Sequence, residues 1–206
     1  MLEARRLSYR YGRSGPWLFR DLSFSISPGE IIGLPGPSGK GKTTLAKVLG
    51  GFLPSLEGDL LIDHHLIRKN GFHPIQMIFQ HPELAVNPNW KIGKILNEGF
   101  PVPNRLIEKF EIEDDWFDRH PWELSGGQLA RICLVRALGP ETRFLVADEM
   151  TAMLDAVTQA KIWKNLLDYT CEKEIGLLVI SHDAHLISKV CNRTIDYFKT
   201  DSGHRA

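Results

Sequence analysis

Apolar and polar residues alternate along the first part of the chain, which is the pattern of strands with one buried face. In the stretch 19–26, Leu22, Phe24 and Ile26 take alternate positions, and a Pro-Gly turn at 28–29 then ends the run. Short unbroken apolar runs predict buried strands further along the chain. We place strands at 19–26, 30–34, 58–63, 75–79, 144–147, 177–180 and 194–198.

Helical periodicity lies between these runs and predicts helices at 43–50, 128–138, 156–171 and 184–190. In the third helix, the side expected to face the core is formed by Val157, Ala160, Trp163, Leu167 and Thr170. Strands that alternate with helices predict an α/β fold with a parallel sheet covered on both faces. The early alternating strands predict an attached antiparallel layer. Short, proline-broken helical patterns from 81 to 138 predict a helical insertion.

The composition adds limits to this fold. The 206 residues include 25 basic and 25 acidic side chains, so the formal net charge is zero and nothing favours general nucleic-acid binding. No apolar run is long enough to span a bilayer, and the start of the chain lacks the apolar core of a signal peptide. Three widely spaced cysteines predict reduced thiols in a cytosolic protein, and any membrane role is expected to go through a partner.

The stretch 36–43, Gly-Pro-Ser-Gly-Lys-Gly-Lys-Thr, fits the phosphate-binding pattern G-x-x-x-x-G-K-[ST]. It follows a predicted strand and opens a predicted helix, which is the context that this motif requires. Glycines let backbone N–H groups surround phosphate oxygens, and the helix N-terminus adds partial positive charge. Lys42 is expected to reach the β and γ phosphates of a nucleotide, and the Thr43 hydroxyl to bind Mg²⁺.

Two acids, Asp148 and Glu149, follow a buried apolar strand. Carboxylates at the end of a parallel strand face the crevice where α/β sheets bind ligands, so Asp148 is expected to hold Mg²⁺ and Glu149 to act as general base. A pair of acids that caps a helix is the alternative. His182 lies just past another strand and is expected to contact the γ-phosphate, whereas the other seven histidines are interpreted as surface or packing residues.

The stretch 124–128, Leu-Ser-Gly-Gly-Gln, opens a predicted helix and presents a second anion-binding helix N-terminus. With this motif the sequence resembles the ABC (ATP-binding cassette) ATPase family, whose signature it is. The resemblance implies one ABC domain over 1–206: residues 1–80 and 139–206 form an antiparallel β layer and a nucleotide-binding core, and 81–138 a helical subdomain that carries the signature.

The resemblance also implies the ligands, ATP and Mg²⁺, and the residues that bind them. Tyr11 matches the aromatic residue that stacks on adenine, with Tyr9 as a competing candidate. Gln80 is similar to the glutamine that contacts Mg²⁺ and the attacking water, and Asp155 to an aspartate that crosses a dimer interface. The nucleotide-binding set is Tyr11, Gly36, Pro37, Ser38, Gly39, Lys40, Gly41, Lys42, Thr43, Thr44, Ser125, Gly126, Gly127, Gln128 and Asp155. The catalytic set is Glu149, His182, Gln80 and Lys42, and the metal set is Thr43, Gln80 and Asp148.

In this family two cassettes pack head to tail, so the signature residues are expected to act on the nucleotide of the partner cassette. The chain departs from the usual pattern at Pro35, Lys40, Met150 and Met153. Lys40 either adds positive charge near the phosphates or is a solvated side chain. None of these four positions removes a catalytic group.

Three classes of ABC protein remain: a transporter motor, a soluble ATPase that acts on ribosomes or DNA, and a cassette that binds ATP without hydrolysis. A single cassette with Glu149 and His182 in place favours the motor. The stretch 80–96, with its Asn-Pro and Ile-Gly pairs, is similar to ATPases of dipeptide, oligopeptide and nickel importers. This implies permease subunits, a second cassette (identical or paralogous), an extracytoplasmic binding protein and a place at the cytoplasmic face of the membrane. Trp90, Ile92 and Phe100 either line a groove for the permease or pack inside the helical region.

Overall fold

The computed structural model describes residues 1–12, 14–67 and 71–198. Within them, nine strands and six helices form. The strands are β1 (Leu2–Arg10), β2 (Trp17–Ile26), β3 (Ile31–Pro35), β4 (Glu57–Ile62), β5 (His65–Leu66), β6 (Ile75–Ile78), β7 (Phe144–Asp148), β8 (Gly176–Ser181) and β9 (Arg193–Thr194). The helices are α1 (Lys42–Leu49), α2 (Ile92–Leu96), α3 (Asn104–Lys109), α4 (Gly126–Ala137), α5 (Ala156–Glu172) and α6 (Ala184–Val190).

Five strands form a parallel sheet in the order β6-β7-β8-β3-β9. In the centre, Leu178 of β8 lies between Ile32 of β3 and Val146 of β7. Because the strands are parallel, their carboxyl ends meet at one edge of the sheet, and the loops after β3, β6, β7 and β8 share that edge. The predicted parallel sheet is confirmed.

A second, antiparallel sheet has the order β2-β1-β4-β5. Strand β1 lies inside it, and Leu2 faces Ile26 on one side and Ile62 on the other. The predicted antiparallel layer is therefore present, although the sequence pattern placed no strand at β1 or β5. The predicted strand at 194–198 is shorter than expected, since β9 pairs only with Ile32 and Gly33.

Side chains of the parallel strands alternate between two apolar clusters. In β8, Leu177 and Val179 belong to one cluster, and Leu178 and Ile180 to the other. The first cluster includes residues of α4 and α5, and the second includes residues of α1 and of the antiparallel sheet. The parallel sheet is thus covered on both faces, as the continuous apolar strands predict.

The buried face of α5 differs from the prediction. Val157 is 78% exposed and Ala160 is exposed, whereas the buried residues of the helix are Ile162, Trp163, Leu166, Tyr169 and Thr170. The prediction was wrong for the start of the helix because α5 enters the cluster only at Ile162. Periodicity shows which residues share a side of a helix, but the packing partner decides where burial begins.

Side-chain caps set the starts of three helices. The Ser125 hydroxyl of α4 accepts a hydrogen bond from the Gln128 amide (3.2 Å), and the Gln128 side chain accepts one from the Ser125 amide (2.8 Å). This reciprocal pair satisfies backbone donors that the first turn leaves without partners. The carboxylates of Asp155 and Asp183 cap α5 and α6 by accepting from first-turn amides, without the returning bond.

Between β6 and β7 the described chain forms helices only: α2, α3, α4 and 3₁₀ turns at Pro82–Leu84, Asp114–Trp116 and Pro121–Glu123. Trp116 (1% exposed) and Phe110 (1% exposed) anchor this region to the cluster that includes α5. Among the residues that the structure describes, no helix is both long and apolar enough to cross a membrane.

Candidate functional site

The loop between β3 and α1 has the backbone that a phosphate cradle requires. Gly36, Gly39 and Gly41 have φ angles of 154°, 79° and 98°, which side-chain-bearing residues rarely adopt. A Cβ at Gly36 would also lie 2.9 Å from the Phe198 carbonyl oxygen. Backbone conformation therefore favours glycine at all three positions, and space also requires it at Gly36.

Lys42 begins α1 and is only 5% exposed. Its ammonium donates hydrogen bonds of 2.7 Å to the carbonyl oxygens of Gly36 and Pro37, so it lies at the centre of the loop. Burial lowers the pKa of Lys42, while the charges of Glu149 and Asp148 act in the opposite direction. A phosphate group at the loop would supply the negative charge that this buried ammonium requires.

Asp148 ends β7 and is 3% exposed. Burial raises the pKa of its carboxyl group, against the opposing effect of a hydrogen bond with Thr43. The structure thus brings together the strand-end acid and the hydroxyl of the phosphate-binding loop, two oxygen groups that the sequence predicted as metal ligands.

Glu149 follows directly and has a left-handed backbone, with φ 46°. Its amide donates to the Ile180 carbonyl oxygen (3.0 Å), and its Oε1 lies 3.0 Å from Nδ1 of His182. An ionised carboxylate only accepts, so the ring N–H of His182 is the donor in this contact. The histidine predicted to meet a γ-phosphate therefore also orients the predicted general base.

A cavity of about 390 Å³ lies over the phosphate-binding loop. Its lining comes from the end of β1, the start of β2, the loop and the carboxyl ends of β6 and β7. The lining residues are Tyr11, Leu18, Ser38, Gly39, Gly41, Lys42, Thr43, Thr44, Gln80, Asp148 and Glu149. The structure thus brings most of the predicted site into one cavity. Gly36, Pro37 and Lys40 belong to the loop but do not line the cavity, and His182 lines an adjoining one.

The structure also separates the two candidate aromatic residues. Tyr11 is 56% exposed, lines the cavity and lies 3.4 Å from the Thr44 hydroxyl through its own OH. Tyr9 is 7% exposed and stacks on Phe19 in the core. Leu18 was not predicted as a site residue. It reaches the cavity because β2 returns beside Tyr11, a tertiary pairing that no local motif indicates.

The signature residues lie elsewhere. Ser125, Gly126, Gly127 and Gln128 form the exposed or half-buried start of α4, and Asp155 caps α5; none of them lines the cavity over the phosphate-binding loop. A Cβ at Gly127 would lie 3.5 Å from Thr158 and 3.6 Å from Leu154, so the signature turn packs against the start of α5. Within one chain, the signature and the phosphate-binding loop face different spaces.

The residues considered for a permease groove are partly corrected. Ile92 is fully buried and cannot line an exposed groove. Trp90 is half-buried with the Lys94 ammonium 3.7 Å from its ring centre, and Phe100 is also half-buried. Leu84 (81% exposed) and Trp122 (65% exposed) are the large apolar side chains that this region does expose.

Comparison with known proteins agrees with the geometry. The model of the ABC transporter family matches residues 19–152, more than half of the chain. The energy-coupling factor transporter ATP-binding protein EcfA1 of Oceanobacillus iheyensis is 32% identical over 92% of this chain and 72% of its own length. The nickel import ATP-binding protein NikE of Shigella sonnei is 30% identical over 95% and 82%. The oligopeptide transport ATP-binding protein OppF of Haemophilus influenzae is 31% identical over 85% and 59%.

Among solved structures, the ATP-binding cassette MJ0796, described as a post-hydrolysis dimer with ADP and phosphate, superposes with a TM-score of 0.81. The two chains are 23% identical, and the match covers 97% of this chain and 94% of that one. At this identity the likeness supports the fold. With the family match, the relatives and the cavity built on the phosphate-binding loop, the chain belongs to the ABC transporter family, as an ATP-binding and ATP-hydrolysing subunit.

Proposed function

We propose that this chain powers a membrane importer and that it hydrolyses ATP in a head-to-tail pair with a second cassette, either identical or paralogous. The observation that supports the head-to-tail pair is the separation of the two anion-binding elements. The cavity over the phosphate-binding loop is lined without any residue of 125–128, although the start of α4 presents backbone N–H groups. A second chain that supplies its own signature turn would complete each site.

In this proposal the residues of the cavity have different roles in ATP binding and hydrolysis. Adenine stacks on Tyr11, and the phosphates lie along residues 36–44, where the Lys42 ammonium exchanges its carbonyl partners for phosphate oxygens. Glu149 accepts a proton from the attacking water. His182 holds Oε1 of Glu149, which leaves Oε2 for that proton. The signature turn of the second cassette stabilises charge on the γ-phosphate.

The metal set fits Mg²⁺. Thr43, Gln80 and Asp148 all line the cavity and offer a hydroxyl, an amide and a carboxylate oxygen, which are the hard ligands that Mg²⁺ prefers. Asp148 is buried with a raised pKa, so a cation would stabilise its ionised form. Phosphate oxygens of the nucleotide would complete the coordination. Bound Mg²⁺ would neutralise charge on the β and γ phosphates.

The proposal of import rests on the relatives, whose names include nickel import and oligopeptide transport. We further propose the domain division of the sequence: a core and β layer at 1–80 and 139–206, and a helical subdomain at 81–138. The exposed apolar residues Leu84 and Trp122 support contact between this subdomain and permease subunits at the cytoplasmic face. An extracytoplasmic binding protein would then deliver the substrate.

The role of Glu149 is tested by Glu149→Gln. The variant is expected to bind ATP, to lose at least about 100-fold in kcat because the amide is not a base, and to accumulate closed dimers. Steady-state ATPase rates and light scattering in the presence of ATP measure both effects. Wild-type turnover in this variant would show that Glu149 is not the general base.

Action across the pair is tested by Gly126→Arg. A Cβ at Gly126 meets nothing within 4 Å, so arginine fits the isolated chain but fills the space where a second cassette's nucleotide would lie. We expect ATP binding by the isolated chain to be unchanged and ATPase activity of the assembled transporter to be lost. Weakened ATP binding by the isolated chain would contradict the in-trans assignment.

A further inference from the structure

The backbone of Glu149 lies in a conformation that needs support. A φ of 46° is unfavourable for a residue with a side chain, and such strain persists only where neighbouring contacts maintain it. The Glu149 amide is held by Ile180, and its carbonyl oxygen accepts from the Ala152 amide (3.0 Å). The segment from Glu149 to Leu154 is therefore a short turned loop between β7 and α5, and its position sets the direction of the carboxylate.

One side chain of this loop is tied to α5 by two hydrogen bonds. Thr151 is 3% exposed, and its hydroxyl oxygen accepts from Nε2 of Gln159 (2.9 Å) and from Nε1 of Trp163 (3.1 Å). Gln159 and Trp163 are four residues apart, so they project from the same side of the helix. Trp163 is itself 5% exposed, and a buried indole N–H without an acceptor would be costly.

The loop is held partly by packing, because its Met150 is 6% exposed within the cluster that includes α5. A cavity of about 170 Å³ adjoins it and is lined by Glu149, Thr151, Gln159, Trp163 and His182, among other residues. The loop has room to shift on this side. The two hydrogen bonds limit such a shift, because they tie the Thr151 hydroxyl to side chains of α5 at 2.9 and 3.1 Å.

We infer that Trp163 and Gln159, acting through Thr151, are positioning residues that hold Glu149 in the geometry for hydrolysis. None of the three contacts the cavity over the phosphate-binding loop, so they act on the base and not on the nucleotide. The inference rests on the proposed role of Glu149 and adds the element that sets its position. It ties the rate of hydrolysis to the placement of α5.

The test compares Thr151→Val with Thr151→Ser in the assembled transporter. Valine keeps the shape but removes the acceptor, and serine keeps the acceptor. We expect Thr151→Val to lower kcat about tenfold with the KM for ATP changed less than about twofold, and Thr151→Ser to restore most of the rate. Trp163→Phe removes the indole donor from the other side and is expected to lower kcat in the same direction.

The matched control is Thr170→Val. Thr170 is a buried threonine of α5 (1% exposed). Its hydroxyl donates to the Leu167 carbonyl oxygen and not to the loop after β7. It is expected to lower the melting temperature while kcat stays within about twofold of wild type. If Thr170→Val and Thr151→Val lower kcat equally, the effect of Thr151 is one of stability, and the inference is overturned.

Glu149→Gln, measured beside these variants, separates the two proposals. An inactive Glu149→Gln together with wild-type kcat in both Thr151→Val and Trp163→Phe would overturn this inference and leave the role of Glu149 standing. An active Glu149→Gln would remove the basis of both. Equal losses in kcat and in ATP affinity for Thr151→Val and Trp163→Phe would also count against positioning, since a displaced base leaves nucleotide binding intact.

Discussion

At the scale of single residues, the cavity over the phosphate-binding loop is lined by two ionisable groups that are buried away from water. Burial lowers the pKa of Lys42 and raises the pKa of Asp148, so folding disfavours the charged form of each. The two charges partly offset these effects, because each stabilises the other. A site that keeps both groups is less stable without its ligand than an uncharged one, which fits a site built for binding.

The pH dependence of stability in Asp148→Asn tests how much the buried carboxylate destabilises the fold. Because the pKa of Asp148 is raised, the folded chain binds the Asp148 proton more tightly than the unfolded chain does. Protonation of Asp148 therefore stabilises the fold. This contribution is full below the unfolded pKa near 3.8 and is lost as pH rises through the folded pKa. We expect the variant to melt above wild type at neutral pH, with the difference shrinking on acidification, and to lose ATP hydrolysis. Thermal unfolding of both proteins across this pH range measures it; a variant that melts below wild type at neutral pH would contradict the interpretation.

At the scale of elements, three helices begin at polar caps. Ser125 with Gln128, Asp155 and Asp183 start α4, α5 and α6, and each accepts from backbone amides of the first turn. The signature and the aspartate of the predicted dimer interface therefore have a local structural role as well. A loss of function on mutation of Ser125 or Asp155 does not by itself identify a contact with a second cassette.

The pH dependence of stability in Asp155→Ala tests the capping role of Asp155. The pKa of the Asp155 carboxyl is lowered below 3.8, chiefly by its hydrogen bond with Thr158 and also by its hydrogen bonds with backbone amides of the first turn. This stabilisation is therefore present above the unfolded pKa and is lost as pH falls through the lowered folded pKa. We expect the isolated variant to melt below wild type at neutral pH and the two curves to converge in strong acid. Asp155→Asn, which keeps a cap, should lie closer to wild type throughout; a constant gap at all pH values would exclude a contribution from the ionised cap.

At the scale of the whole molecule, the parallel sheet separates two cores. One is shared with α1 and the antiparallel sheet, and the other with α4, α5 and the helical region. Leu45 and Leu166 are fully buried in different clusters, on opposite faces of the sheet. Residues without shared partners contribute independently to stability.

Leu45→Ala and Leu166→Ala are each expected to lower the free energy of unfolding by about 2–5 kcal/mol, through lost burial and the cavity left behind. The double variant should lose the sum of the two to within about 0.5 kcal/mol, because the sheet lies between the sites. Urea unfolding of the isolated chain measures all four proteins. Strong coupling between the two substitutions would show that the clusters respond as one core.

Much of this architecture was predictable because its signals are local. Apolar strand runs, helical periodicity and glycine-rich turns placed β2, β3, α1, β7, β8 and α6 within a residue or so at each end, except that β2 begins two residues earlier than predicted. Strands β1 and β5 were missed, and β9 is shorter than predicted. The parallel arrangement of the sheet followed from the alternation of elements, but the start of burial in α5 at Ile162 did not, because it depends on which surface covers the helix.

The site divides in the same way. The amino-acid sequence alone predicted the phosphate-binding loop, the acid pair at the end of β7 and a helix opened by the stretch 124–128, because backbone conformation and helix capping depend on residues a few positions apart. Only the tertiary structure decided that Tyr11 and not Tyr9 lines the cavity, that Leu18 joins it, and that His182 contacts Glu149. The same holds for the link from Thr151 to Trp163. These contacts join segments whose separation in space is set by strand pairing and by the packing of α5 on the sheet, and no local pattern encodes that distance.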